Sequence, residues 1–246
     1  FYRRVGSLRF NEGHYAESVK IYDMVLGIQK RQGLNPASAQ ILYTRNGINM
    51  GLIAQKKWRE ALAQYQEIDS LAWKSTGLIN IARQTEPRAL TYLNTGRVSE
   101  ALQLMTGTLR WHVTNFGEDH YYTAITRGMY AMTLAASDNK IYKELALTEF
   151  ENALKGMTAP HTLSVDYQES PYRLDLKKTI LSAYLKLLSN SETLSEKQLE
   201  QAFQAANASI ASSVQQAIAE SAARAGVKQP KLADVIRHDQ DAKNEL

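Results

Sequence analysis

The side chains best suited to chemistry fall in one short stretch: His112, Glu118, Asp119 and His120. Imidazoles and carboxylates together are metal-ligand types. Their spacing does not fit a helical His-Glu-x-x-His, in which both imidazoles return to one face. Asp119 is expected instead to cap a following helix, and His112 to sit near a helix C-terminus, where an imidazolium is favoured. His14, His161 and His238 are isolated, and Asp239 and Asp241 lie on different faces of a helix, a poor arrangement for acid–base work. Neither a Gly-rich phosphate loop nor a serine elbow is present. Cysteine is absent from all 246 residues, which excludes disulfides, Cys-ligated zinc or iron–sulfur sites and a thiol nucleophile. We therefore expect no catalytic residue, no metal and no cofactor.

What must position any binding residues is a folded, helical chain. Hydrophobic residues make up 44%, enough for a core, and 13 Gly with 5 Pro are too few for a low-complexity chain. The net charge of +4 is uneven: residues 1–110 carry +7 and residues 111–246 carry −3. A basic half could attract acidic peptides or nucleic acid. No Lys/Arg run exceeds two and no nucleic-acid motif occurs, so nucleic acid is not expected as a partner. No window approaches 18 uncharged apolar residues, so no membrane span is expected. The chain opens Phe1-Tyr2-Arg3-Arg4 and closes within a helical pattern, which reads as a segment cut from a longer protein. The compartment stays open, with the cytoplasm favoured.

One pattern recurs: a turn, a bulky residue, Glu, a small residue, then bulky residues four and seven or eight further on. The copies are Gly13-His14-Tyr15-Ala16-Glu17-Ser18 with Tyr22 and Leu26, and Lys57-Trp58-Arg59-Glu60-Ala61 with Tyr65 and Ile68. They continue with Gly96-Arg97-Val98-Ser99-Glu100-Ala101, Met105 and Leu109, and with Tyr142-Lys143-Glu144-Leu145-Ala146, Phe150 and Leu154. The small residues Ser18, Ala61, Ala101 and Ala146 are separated by 43, 40 and 45 positions. Such spacing puts the side chains on one helical face. The small residue admits the preceding antiparallel helix, and the aromatic fills the space between hairpins. No helix buries its face alone, so the hairpins must stack.

This pattern resembles the tetratricopeptide repeat (TPR), whose small and aromatic positions match Gly6, Gly13, Tyr15, Tyr22, Ala61, Tyr65, Ala89, Tyr92, Gly96, Ala101, Ala146 and Phe150. Ser18 replaces Ala, Val98 replaces the aromatic, and the fourth turn lacks a clear Gly. The long period resembles the repeats of kinesin light chains and related bacterial arrays, as does the linker Phe116-Gly117-Glu118-Asp119-His120. The resemblance implies an all-α fold of antiparallel helix hairpins stacked into a right-handed superhelix. Residues 1–158 would form four hairpins, the first one truncated. Pro87 requires the third hairpin to begin its first helix near Thr85 or to bend there.

Beyond a polar connector over 157–171, residues 172–189 read as a helix. Ser195-x-x-Gln198 is a capping box that opens a long Ala-rich helix with Leu199, Phe203, Ile210, Val214 and Ile218 as its stripe. Residues 159–226 would thus be a divergent fifth hairpin and 227–246 a connector helix. The run Ala202-Phe203-Gln204-Ala205-Ala206 through Ala222-Ala223-Arg224, then Leu232-Ala233-Asp234-Val235-Ile236-Arg237-His238-Asp239-Gln240-Asp241, resembles the segment between a TPR array and the caspase-like domain of bacterial CHAT proteins. That family usually continues with Leu, where Ala242 stands here. The resemblance implies a CHAT peptidase domain downstream of Leu246 as a partner within the parent protein.

In TPR arrays the first helix of each hairpin lines a concave groove. Tyr43, Asn46, Met50 and Ile53 are spaced 3, 4 and 3 and share one face, distinct from that of Ile41, Ile48 and Leu52. By the resemblance the first face lines the groove, with Arg3, Ser7 and Phe10 equivalent in the first hairpin and Glu86, Leu90, Leu93 and Asn94 in the third. The other reading is that these residues pack against the next hairpin. Asn bonds an extended backbone as both donor and acceptor, and Met and Tyr supply adaptable apolar contact. Arg3 and Asn46 lack the companions that would make the two-Lys, two-Asn carboxylate clamp of chaperone-binding TPRs. The expected function is a protein- or peptide-interaction module, the regulatory or recruiting arm of a CHAT peptidase. A self-assembling helical scaffold and an enzyme on a helical-repeat scaffold are the alternatives.

Overall fold

The computed structural model describes residues 1–72, 85–159, 170–191 and 193–210. Its helices are α1 (Tyr2–Asn11), α2 (Tyr15–Arg31), α3 (Ala39–Ala54), α4 (Trp58–Ala72), α5 (Thr85–Asn94), α6 (Val98–Phe116), α7 (Tyr121–Ala135), α8 (Lys140–Thr158) and α9 (Pro171–Ser189). Residues 196–210 form α10, and no strand occurs among the described residues. Consecutive helices pack in pairs, and the first helices of successive hairpins also touch: α1 with α3, α3 with α5, α5 with α7, and α7 with α9. These first helices make one continuous layer.

The repeat is visible in the backbone of the turns. The N–H groups of His14, Lys57 and Arg97 each reach back five residues, to the carbonyls of Arg9, Leu52 and Tyr92, all at 2.9 Å. This is the six-to-one bond of a Schellman cap, which needs a left-handed residue just before the donor. Gly13, Lys56 and Gly96 hold that place with φ of 86°, 58° and 78°. The fourth turn has no such residue. There Asn139 caps α8, its side chain accepting from the Ile141 N–H at 2.9 Å.

The four small residues of the repeat, Ser18, Ala61, Ala101 and Ala146, are each 0% exposed. Tyr65, Met105 and Phe150, four positions later, are fully buried. Ser18 departs from Ala with a consequence: its hydroxyl donates to the Gly6 carbonyl at 2.8 Å, tying α2 to α1. Tyr22 packs against two glycines. A methyl built on Gly47 would meet its ring at 2.5 Å, and one on Gly6 at 3.0 Å.

Pro87 sits in the first turn of α5, where a missing N–H costs no intrahelical bond. Asp119 is not the cap of α7. His120 takes that position in extended backbone, and its Nδ1 accepts from the Tyr122 N–H at 3.2 Å. Any short polar acceptor suffices there, and the helix starts one residue later than Asp119 requires. His112 stands about one turn before the end of α6, which continues to Phe116.

The capping box of α10 is formed, with the Ser195 N–H donating to Gln198 Oε1 at 2.9 Å and the Gln198 N–H to Ser195 Oγ at 3.3 Å. The apolar stripe of α10 does not face inward: Leu199, Phe203 and Ile210 are 56%, 68% and 60% exposed. Gln201 and Ala205 are buried instead. The reason is the surface of α9, where the buried Tyr184 hydroxyl needs an acceptor and finds Gln201 Oε1 at 2.9 Å. The expectations for residues 211–246, including the short helix near 232–241, lie outside the described residues.

Candidate binding groove

The first helices place the expected groove residues in three different settings. Arg3 and Tyr43 are exposed, and with Ser7, Arg4, Phe1 and Tyr22 they line a surface pocket of about 680 Å³. Asn46, Ile53 and Leu90 are buried, the latter two within the hydrophobic core. Met50 is half-buried, and Asn94 is exposed with its amide donating to the Leu90 carbonyl of its own helix at 2.8 Å. Asn49, which the spacing argument passed over, is fully buried, and neither its amide nitrogen nor its oxygen has a partner among the described residues.

Phe10 is in contact with something the sequence did not suggest. The first turn of α9 reaches it: the ring of Tyr172 lies 5.6 Å from that of Phe10. Pro171 abuts the α1–α2 turn, where a methyl built on Gly13 would sit 3.9 Å from its Cγ. The Arg173 guanidinium stands 4.8 Å over the ring of Tyr122 at the start of α7. Burial raises the Tyr172 phenol well above its ordinary value, and the Glu86 carboxylate adds to the rise. Burial, and secondly the charge of Asp175 on α9, pushes the Tyr15 phenol up to about 12. Residues 171–173 thus touch α1, the α1–α2 turn and α7. The Tyr172 hydroxyl is buried with no hydrogen-bond partner among the described residues.

The cluster that opened the question of catalysis is divided among separate tasks. Thr126 on α7 donates its hydroxyl proton to Glu86 on α5 at 3.0 Å, and its oxygen lies 2.7 Å from His112 Nδ1 on α6. With that proton committed to Glu86, the imidazole must be the donor to Thr126. Thr126 is fully buried, so its hydroxyl meets no substrate, and the relay fastens three helices together. His120 caps α7 and stacks on Phe116 at 4.9 Å. Glu118 pairs with Arg127, which also holds Glu149 at 2.8 Å. No group of three or more His, Asp or Glu could hold a metal ion among the described residues. Among the same residues no helix is long and apolar enough to cross a membrane. Sequence reasoning also overlooked Trp111 and Phe116, which form an exposed edge-to-face pair at 5.4 Å.

Hairpins stacked through a layer of first helices, three of them joined by the same turn geometry, define a TPR-like helical-repeat fold. The chain is similar to the crystal structure of the nearly identical TPR-like repeats of a putative kinesin light chain from Podosopora anserina. The TM-score is 0.53 at 16% identity, covering 87% of this chain and 94% of that one. Comparison with protein-family models finds no match, and no curated protein matches in sequence.

Proposed function

We propose that this chain is a protein-interaction module that takes a peptide segment of a partner on its layer of first helices. The observation that carries the reading is the gathering of exposed Arg3 and Tyr43, from two different hairpins, around one pocket of about 680 Å³. A basic and an aromatic side chain beside an open pocket suit an acidic or aromatic peptide side chain. Capture of displayed random peptides by the immobilised chain tests it. Arg3→Ala and Tyr43→Ala are expected to lose the captured peptides, and Lys143→Ala on α8 is expected to keep them. Peptides indifferent to Arg3 and Tyr43, or none captured, would sink the reading.

The finer role, as the regulatory or recruiting arm of a CHAT peptidase, is supported by the resemblance of residues 202–241 alone. A caspase-like His and Cys encoded beyond Leu246 would test it. A second reading, self-assembly, is favoured by the exposed Leu199, Phe203 and Ile210 on α10. Light scattering across protein concentrations separates the two, since a strictly monomeric chain removes the second.

A further inference from the structure

The first turn of α9 lies on the same layer of first helices that the peptide-binding reading assigns to a partner, at Phe10 and Tyr122 and apart from the Arg3–Tyr43 pocket. Tyr172 contacts Phe10 and is followed by Arg173 over Tyr122. Both receiving residues belong to first helices: α1 and α7. The receiving surface therefore combines an aromatic wall at Phe10 with an aromatic face at Tyr122 that accepts a cation.

We propose that residues 171–173 act as an internal ligand of this surface, and that a partner engages it with its own aromatic–basic pair, displacing Tyr172 and Arg173. The proposal rests on the peptide-binding reading and names the chemistry that a partner presents at a second place on the layer, beside Phe10 and Tyr122: a ring followed directly by Arg or Lys.

Two features make the first turn displaceable. The body of α9 is anchored separately, through the buried Leu176, Ile180, Leu181, Tyr184 and Leu188. The turn itself sits at a helix N-terminus, where the first N–H groups have no intrahelical partner, and Pro171 has none to lose. Opening releases the bonds from Arg173 and Leu174 to the Ser170 carbonyl, at 2.9 and 3.1 Å, together with the Phe10–Tyr172 and Arg173–Tyr122 contacts, which the partner's pair would replace. The unpartnered Tyr172 hydroxyl gains water on leaving, which further lowers the cost. The pair therefore specifies the surface without being locked on it.

The test titrates a labelled peptide with the sequence of residues 170–176 against the full chain and against Tyr172→Ala/Arg173→Ala. Circular dichroism checks that the variant is folded, and Arg173→Ala alone is the milder second variant. The tethered turn competes at an effective concentration of order millimolar, so the double variant is expected to bind the peptide at least about tenfold more tightly than the unaltered chain. Arg173→Ala is expected to fall between, and a peptide with Ala in place of the pair is expected to bind neither. Equal binding by variant and unaltered chain would overturn the proposal, as would no binding by a folded variant. If displayed peptides are still captured through Arg3 and Tyr43 in that case, the internal-ligand proposal alone has failed. If none are captured, the peptide-binding reading has failed with it.

Discussion

The aromatic rings of Phe10 and Tyr172 lie 5.6 Å apart although 162 positions separate them in the chain. The contact joins the first described hairpin to the fifth. It also leaves the Tyr172 hydroxyl buried and without a hydrogen-bond partner among the described residues. An unmet hydroxyl of this kind costs roughly 1–3 kcal/mol. Tyr172→Phe keeps the ring contact and removes the hydroxyl, so its melting temperature is expected to equal or exceed that of the unaltered chain. A clear drop would mean that the hydroxyl has a partner.

Tyr65 is fully buried between hairpins and carries the Arg88 guanidinium 4.3 Å above its ring. Truncating it leaves a cavity and removes that contact. Tyr65→Ala is expected to cost about 3–5 kcal/mol in denaturant unfolding.

Lys56 occupies the left-handed position that Gly13 and Gly96 hold in the equivalent turns. A side chain there costs about 1–2 kcal/mol of backbone strain. Lys56→Gly relieves it, at the expense of greater freedom in the unfolded chain. A small net rise in stability, below about 1 kcal/mol, is expected from the denaturation midpoint.

Gly128 on α7 faces Ile180 on α9, and an added methyl would meet the Ile180 Cγ2 at 2.5 Å. Gly128→Ala must push α9 away from α7 and is expected to cost about 1–3 kcal/mol. It should also loosen the seat of Tyr172, readable as raised protease sensitivity around residues 171–175.

Glu151 links α8 to α10. Its hydrogen bond from Lys197 is the main cause that holds its carboxyl below the ordinary value, against a partial opposing effect of burial. The Lys197 Nζ lies 2.7 Å away. A carboxylate with a depressed folded pKa contributes stability that is complete above its unfolded pKa and lost as pH falls through the folded one. The attachment of α10 should therefore weaken on acidification below the usual carboxylate range. Lys197→Met should flatten that dependence in a pH series of thermal melts.

The hairpin stack was legible because its rules are local. Each of Ser18, Ala61, Ala101 and Ala146 needs only the helix beside it, so a repeating pattern is enough to find them all. The cap of α7 was misplaced by one residue, since Asp119 and His120 both offer an acceptor and spacing cannot choose between them. Asn46, Met50 and Ile53 share a face as read, but whether a face is open depends on what lies over it, and helical period carries no such information. Tyr172 was invisible for a stronger reason. Its position depends on the bend accumulated over four hairpins, and nearest-neighbour patterns do not report a sum of small rotations.

That same contact changes how the array should come apart. An open stack frays from its ends, and each terminal unit risks only its one interface. Here the first hairpin and the start of α9 brace one another, so loss of either removes a neighbour from both. The first and fifth described hairpins are thereby coupled through one displaceable turn, and peeling residues 171–173 away is expected to loosen α1 before the rest of the stack.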